Sequence, residues 1–406
     1  MEKTEKLKIL TDLIAIPTVN QNEAAVANYL QDLFQAHGLT ATVDEFTPGR
    51  ANLILEVGAG DHVLGITGHM DTVAVGEEKF WQHPPFEAAI DGDRIYGRGA
   101  ADMKSGLAAQ AIALIELHEA DLLHGRVRFL ATAGEELGTP GANRLLEQGQ
   151  ADDLDALLVG EATGGDVIYA HAGSINYRLA STGKAAHSST PEVGVNALTP
   201  LVKFYQEEAK LFQNLPQDPI LGPVKHSVTV IKGGDQVNSI PAQAELMGNV
   251  RPTKVVPNTE VIEWLQQLVA HLKDDFPGNK LELTIIHDFY PVSTAPQDEF
   301  IQTVLTASQQ CFGEIRERPL PKLRTINGAT DASVFTKANP ELPVAVLGPD
   351  AWESSHQVDE FTTISSYLAT IETYKRVIEK GLRWEEKNVV KAGFSRVSRR
   401  FLLSRA

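Results

Sequence analysis

The sequence predicts an α/β chain: one layered α/β domain, interrupted near its middle by a smaller α+β domain. Three observations carry this. Apolar strands alternate with helices up to about residue 172, the order that builds a layered, largely parallel sheet. From about Gly173 the strands alternate apolar with polar residues, in the order β-α-β-β-α-β, that of a small α+β sandwich. After Pro291 helix and buried-type strand return. A chain of 406 residues has room for two domains. The boundaries read as 1–174 and 291–386 for the split domain, 175–290 for the insert, and 387–406 for a separate tail.

Each element has a local reason. Leu7, Leu10, Leu13 and Ile14 repeat at helical spacing, with Thr4 expected as the cap and Ile16-Pro17 as the stop. A second helix is expected from Asn22 through Val26, Leu30 and Leu33, ended by Gly38. Short β-rich runs follow at 52–57 and 63–67, the second running into Gly68-His69. A long helix starts near Lys104, then a strand at 126–131, a helix at 140–148 and a strand at 156–159. In the insert, strands are expected at 175–182, 227–231, 244–250 and 280–288, and helices at 196–212 and 259–276. A helix at 299–311 and a buried strand at 344–347 complete the pattern.

Composition narrows the function. Lys plus Arg number 36 and Asp plus Glu 53, a formal charge of −17. A chain this acidic is a poor partner for nucleic acid or an anionic membrane, since phosphate affinity needs a basic surface. There is no apolar run of about 18 residues, so no transmembrane helix is expected. The mixed charges at the amino terminus, with Asp12 inside the first apolar stretch, do not read as a signal peptide. One cysteine, Cys311, excludes an intrachain disulfide and fits a reducing compartment, so a cytoplasmic setting is expected. Residues 387–406 carry +6 and no acid, leaving −23 on the rest. A solvated tail is the plain reading, docking on the acidic body or on a partner the other.

Five segments place a metal-type ligand beside glycine or another loop residue: Gly68-His69-Met70-Asp71-Thr72, the run from Gly97 to Gly106 around Asp102, Gly134-Glu135-Glu136-Leu137-Gly138, Gly160-Glu161-Ala162, and Ser355-His356 through Glu360. Alone, each has a structural reading: His69 as an ordinary histidine, Asp102 as a helix cap. Together they are harder to dismiss. In open α/β sheets, ligands gather beyond the carboxyl ends of the strands, and four of the five follow a predicted strand there. The adjacent acids Glu135 and Glu136 repel unless a cation or a shared proton offsets them. Two histidines and three carboxylates form a mixed nitrogen and oxygen set suited to Zn²⁺, with Co²⁺ or Mn²⁺ also possible ligand partners. Five ligands exceed one catalytic zinc and fit two metals with one bridging carboxylate.

These five motifs, in this order, resemble those of the M20 metallopeptidase family, from Ile16-Pro17-Thr18-Val19-Asn20 to about Leu382. The resemblance implies an α/β/α zinc-hydrolase catalytic domain whose insert is a lid that makes a homodimer. It implies that Asp102 bridges two divalent metals, that His69 and Glu161 ligate one, and that Glu136 and His356 ligate the other. Asp71 then orients His69, and Glu135 is the general base. His187, in Gly183-Lys184-Ala185-Ala186-His187-Ser188-Ser189, corresponds to the lid histidine that reaches an active site, often the partner's, to stabilise the oxyanion. Without the resemblance it reads as an ordinary exposed histidine. Arg251, Asn238, Gly328 and Thr330 correspond to substrate contacts, and the 328–332 segment otherwise reads as a turn before a helix. The implied reaction is hydrolysis of the amide of an N-acylated amino acid or short peptide. Succinyl-diaminopimelate desuccinylase is the first expectation, followed by acetylornithine deacetylase, then a dipeptidase, carboxypeptidase or aminoacylase. A non-catalytic amino-acid binder on the same fold is the reading from another class. It has no need of a free base such as Glu135 beside a ligand.

Overall fold

The computed structural model describes residues 1–315, 318–350 and 352–381. Helices α1 (Lys3–Ala15) and α2 (Glu23–Ala36) lead into the hairpin β1 (Thr42–Thr47) and β2 (Arg50–Val57), then β3 (Val63–His69). A small hairpin, β4 (Ile90–Asp91) and β5 (Arg94–Tyr96), precedes α3 (Lys104–Glu119), β6 (Arg126–Thr132), α4 (Pro140–Glu147), β7 (Ala156–Val159) and β8 (Val167–His171). The insert holds β9 (Ser174–Thr182), β10 (Ala186–His187), α5 (Leu198–Leu211), β11 (Lys225–Gly233), β12 (Ser239–Ile240), β13 (Gln243–Arg251), α6 (Asn258–Asp275) and β14 (Lys280–Phe289). The chain returns through β15 (Val292–Ser293), α7 (Glu299–Phe312), β16 (Leu323–Ile326), α8 (Ala332–Phe335), β17 (Val344–Val346), β18 (Phe361–Thr363) and α9 (Ile364–Gly381).

The large sheet runs β1-β2-β6-β3-β7-β17-β8-β15, with β16 also on β8. The four central strands β6, β3, β7 and β17 are parallel. The pairs β1–β2, β2–β6, β17–β8 and β8–β15 are antiparallel. The expectation of a largely parallel sheet is therefore corrected to a mixed one. Parallel neighbours need a long crossover, whereas Thr47 and Arg50 pair across a two-residue turn that only an antiparallel hairpin uses. Every residue of β3 and of β7 is buried, as strands covered on both faces must be. One face packs on α2, α3 and α7, the other on α4 and α8. Helix α3 is buried along nearly its whole length, because α1 and α9 cover it from outside.

The insert has its own antiparallel sheet, β11-β13-β9-β14. Ile175, Tyr177, Leu179, Leu246 and Val250 face a core shared with α5 and α6, so the alternate residues face away from the helices. A two-stranded ribbon, β10 with β12, stands beside it. Thr4 does not cap α1. The helix starts two residues earlier than that cap would give, Glu2 takes the cap position without a side-chain bond, and Thr4 lies within the first turn. Among the described residues no helix is long and apolar enough to cross a membrane. The basic stretch 387–406 lies outside the described residues.

Candidate metal centre and cavity

Because β3, β6, β7 and β17 are parallel, their carboxyl ends share one edge. β3 ends on His69, β6 runs into the turn carrying Glu135 and Glu136, β7 runs into Glu161, and β17 leads into the loop of His356. Asp102 lies just before α3, joined to Met103 by a cis peptide bond. The start of α3 approaches the end of β7 so closely that a Cβ on Gly106 would lie 1.8 Å from the Gly160 carbonyl oxygen. Only glycine allows this approach, which brings Asp102 and Glu161 to the same place.

The geometry is paired. His69 Nε2 lies 2.9 Å from Asp102 Oδ1 and 3.5 Å from Glu161 Oε1. His356 Nε2 lies 3.2 Å from Asp102 Oδ2 and 2.8 Å from Glu136 Oε1. The two oxygens of Asp102 therefore face different histidines. His69 Nδ1 donates to the Asp71 carbonyl oxygen at 2.9 Å, and this leaves Nε2 toward the acids. The Asp71 carboxylate, fully buried, accepts the backbone N–H groups of Gly134, Glu135 and Glu136 at 2.8, 3.0 and 3.1 Å.

The electrostatics ask for positive charge. His356 is pushed up to about 10, first by its hydrogen bonds to Asp102 and Glu136. Burial opposes charge on His69, yet Glu161, Asp102 and Asp71 raise it well above the usual imidazole value. Burial lifts Glu135 well above the usual carboxylate range, and Asp331, Glu161 and Glu136 add to it. Burial does the same to Glu161, aided by Asp102 and Glu136. The acids outnumber the two imidazoles that could balance them. A mixed nitrogen and oxygen set with this excess of negative charge fits divalent cations. His69, Asp102 and Glu136 each offer a ligand atom within 4.8 Å of the others.

A cavity of about 310 Å³ opens over the cluster. Asp102, Glu135, Glu136, Glu161 and His356 line one wall. The insert supplies the other through Ser174, Asn176, Arg251, His287 and Phe289, with Gly328 and Ala329 at the side. Arg251 has no acid partner among the described residues, and burial lowers its pKa. Asn249 Nδ2 donates to Asn176 Oδ1 at 2.6 Å, so Asn176 keeps its own amide protons for the cavity.

Residues 65–380 match the peptidase family M20/M25/M40. The chain belongs to this family. It is a hydrolase, in keeping with the family and its named relatives. A probable succinyl-diaminopimelate desuccinylase of Staphylococcus aureus is 34% identical over 91% of this chain and 96% of its own length. An acetylornithine deacetylase of Proteus mirabilis is 30% identical over 92% and 96%. Among solved structures, an M20 metallo-carboxypeptidase of Sulfolobus solfataricus superposes with a TM-score of 0.76 at 19% identity, covering 93% of this chain and 99% of that one.

Not every residue singled out in this M20 chain reaches the cavity. His187 is exposed on the β10–β12 ribbon, its Nδ1 2.8 Å from Ser189 Oγ. Asn238 is exposed beside it and accepts the Ser188 N–H at its carbonyl oxygen. Neither lines the cavity of its own chain. Thr330 is buried, and its hydroxyl donates to His171 Nε2 at 3.2 Å. Its hydroxyl is thus engaged inside the protein, and the backbone around Gly328 takes its place at the cavity. Asn176 and Ser174 were missed although strand alternation marks them, since both lie opposite buried Ile175 and Tyr177. His287 carries no such mark. A bulge between Ile285 and His287 shifts the register of β14 and re-aims the side chain. It packs close to Gly138, where a Cβ would lie 3.0 Å from His287 Cε1.

Proposed function

We propose that the protein is a two-cation amidohydrolase that removes the acyl group of an N-acylated amino acid, with N-succinyl-diaminopimelate, in lysine and diaminopimelate biosynthesis, as its substrate. One observation carries the reaction class: the Asp102 oxygens face His69 and His356 separately, with Glu161 on the first side and Glu136 on the second. His69 and Glu161 would hold one ion, Glu136 and His356 the other, and Asp102 both. Zn²⁺ suits this set, with Co²⁺ or Mn²⁺ as alternatives. When bound, such ions supply Lewis acidity at the scissile carbonyl and at a water.

The protein's own groups do the rest. Asp71 and the Asp71 carbonyl hold His69 in one tautomer and orientation. Glu135, outside the ligand set, takes a proton from the attacking water and passes it to the leaving nitrogen. A C–O bond forms, the C–N bond breaks, and the products are a carboxylate and an amine. Burial raises the Glu135 pKa, which suits a group that must both accept and release a proton near neutral pH.

Arg251 is placed to hold a substrate carboxylate, a task its planar fork suits. Among the described residues, the acids lining the cavity are those of the cluster itself, which leaves Arg251 to the substrate. The likeness to a probable desuccinylase favours deacylation and the succinyl group. Acetylornithine deacetylation is the second reading. A homodimer through the lid would let His187 and Asn238 enter the partner's cavity. The outer strand β11 has one unpaired side, and Val202, Tyr205 and Ile231 nearby are exposed. The lone Cys311 is buried, which suits a cytoplasmic setting. Turnover on a panel of succinyl-diaminopimelate, acetylornithine, acetylmethionine and simple dipeptides, with Zn²⁺ or Co²⁺, tests the substrate. The succinyl compound should have the highest kcat/KM, and a dipeptide in that place would refute the deacylase reading.

A further inference from the structure

Two buried carboxylates serve the metal-site loops in the same way. Asp71 gathers the N–H groups of Gly134, Glu135 and Glu136. Glu360 gathers those of Gly99, Ala101 and Asp102 on its Oε1, at 3.1, 2.9 and 3.0 Å. The proton transfer described above makes no use of Glu360. Its other oxygen accepts from Arg98 Nη1, and its carbonyl oxygen accepts the Gly97 N–H at 2.8 Å. Arg98 is held in turn, donating from Nη2 to the Ala74 carbonyl at 3.2 Å and lying 5.3 Å from the Trp81 ring centroid.

Glu360 also joins the loop of Asp102 to the loop of His356, four residues before it. The backbone of His356 has φ 63° and that of Asp359 φ 56°. Such left-handed conformations in residues other than glycine persist where the surroundings impose them. Here Asp359 Oδ1 accepts the N–H groups of Gln82 and His83, and Phe361 pairs with Tyr96 just beyond Glu360. Both charges of the Arg98–Glu360 pair are withdrawn from water, at 2% and 0% exposure. Such a pair is a weak source of stability, and apolar groups of similar volume commonly replace it without loss. Its geometry, three N–H groups on one oxygen around Asp102, is better matched to holding a position.

We propose that Glu360, held by Arg98, is a positioning residue for the cation cluster: it sets Asp102 between His69 and His356, and its loss uncouples the two cation positions while leaving every ligand in place. This rests on the two-cation reading above. The test uses wild type, E360Q and the double variant R98M/E360M, each titrated with Mn²⁺. Calorimetry reads affinity and stoichiometry, and EPR reads the spin coupling of a paired Mn²⁺ centre. Wild type should bind two ions with a coupled signal. In the variants the coupled signal should vanish and the affinity for at least one ion should fall about 10–100-fold, in protein that keeps a cooperative thermal transition. A purely structural role would not move the coupling in a folded protein. If E360Q fails to fold, the double variant decides alone, because it removes both charges of the Arg98–Glu360 pair together. A folded double variant that binds a coupled pair with wild-type affinity overturns the proposal. A wild type that binds no coupled pair refutes the two-cation reading instead, a result distinguishable because it precedes any substitution.

Discussion

The two walls of the cavity are built on different principles. The α/β wall concentrates acids and histidines at the ends of buried parallel strands, and their loops are tied from behind, through Asp71 for one. The wall from the insert presents donors, Arg251, Asn176 and Ser174, on the outward face of an antiparallel sheet whose other face is a separate core. The first wall has many constraints per residue, and shifting one ligand shifts its neighbours. On the second, a side chain can change without disturbing the fold beneath it. On the proposed function, chemistry belongs to the constrained wall and recognition to the adaptable one.

The sharpest way to break that division is Glu135→Gln. Turnover should fall by about 10²–10⁴-fold, with metal content and KM unchanged. Loss of bound metal, read by elemental analysis beside kcat, would place Glu135 among the ligands instead. His187→Ala should follow, with kcat reduced about 10²–10³-fold, the usual worth of a donor at a developing oxyanion. Mixing that variant with Glu135→Gln and exchanging subunits should restore activity, since one cavity in the mixed dimer would then have both groups. No recovery would place His187 outside the partner's site. Arg251→Ala comes next, with KM for the acyl amino acid raised about 10–100-fold, as for a lost hydrogen bond to a charged group, and metal content unchanged. An unaltered KM would remove Arg251 from recognition.

The smallest effects concern stability, and there too the regions differ in sign. Burial would raise the Glu116 pKa, but Lys375, Lys6 and the amino terminus hold it down to about 2. Its stabilisation is present above the unfolded value of about 4.3 and is lost as pH falls toward 2. In the insert, burial raises Glu208, beside Tyr177 and His226. Its protonated form is favoured on folding, so that contribution is present below about 4.3 and is lost as pH rises through the folded value. Thermal melts should show Glu116→Gln modestly lowering Tm at neutral pH, a difference that closes by pH 2, and Glu208→Gln raising or leaving Tm there. The same slope for both would contradict this contrast.

Legibility followed the same division. The central strands were readable because full burial demands continuous apolar runs, and the ligand loops because glycine and acid recur after each. The edge strands β1 and β16 were not, since such strands carry mixed residues that resemble loop. Glu360 ends a motif visible in the sequence, but the three backbone N–H groups it accepts are 258 to 261 residues away in sequence. His287 depends on a bulge. Arg251 stood out in the sequence only through family likeness, while its lack of an acid partner is a fact of three dimensions.

The most direct test of the central claim measures metal and turnover together. Metal-free protein is titrated with Zn²⁺ while bound metal and hydrolysis of N-succinyl-diaminopimelate are followed on the same samples. Two ions per chain, with turnover appearing as the pair fills and abolished by a chelator, is the predicted result. Full occupancy without hydrolysis of any acyl amino acid would contradict it and make the protein a binder on a hydrolase fold.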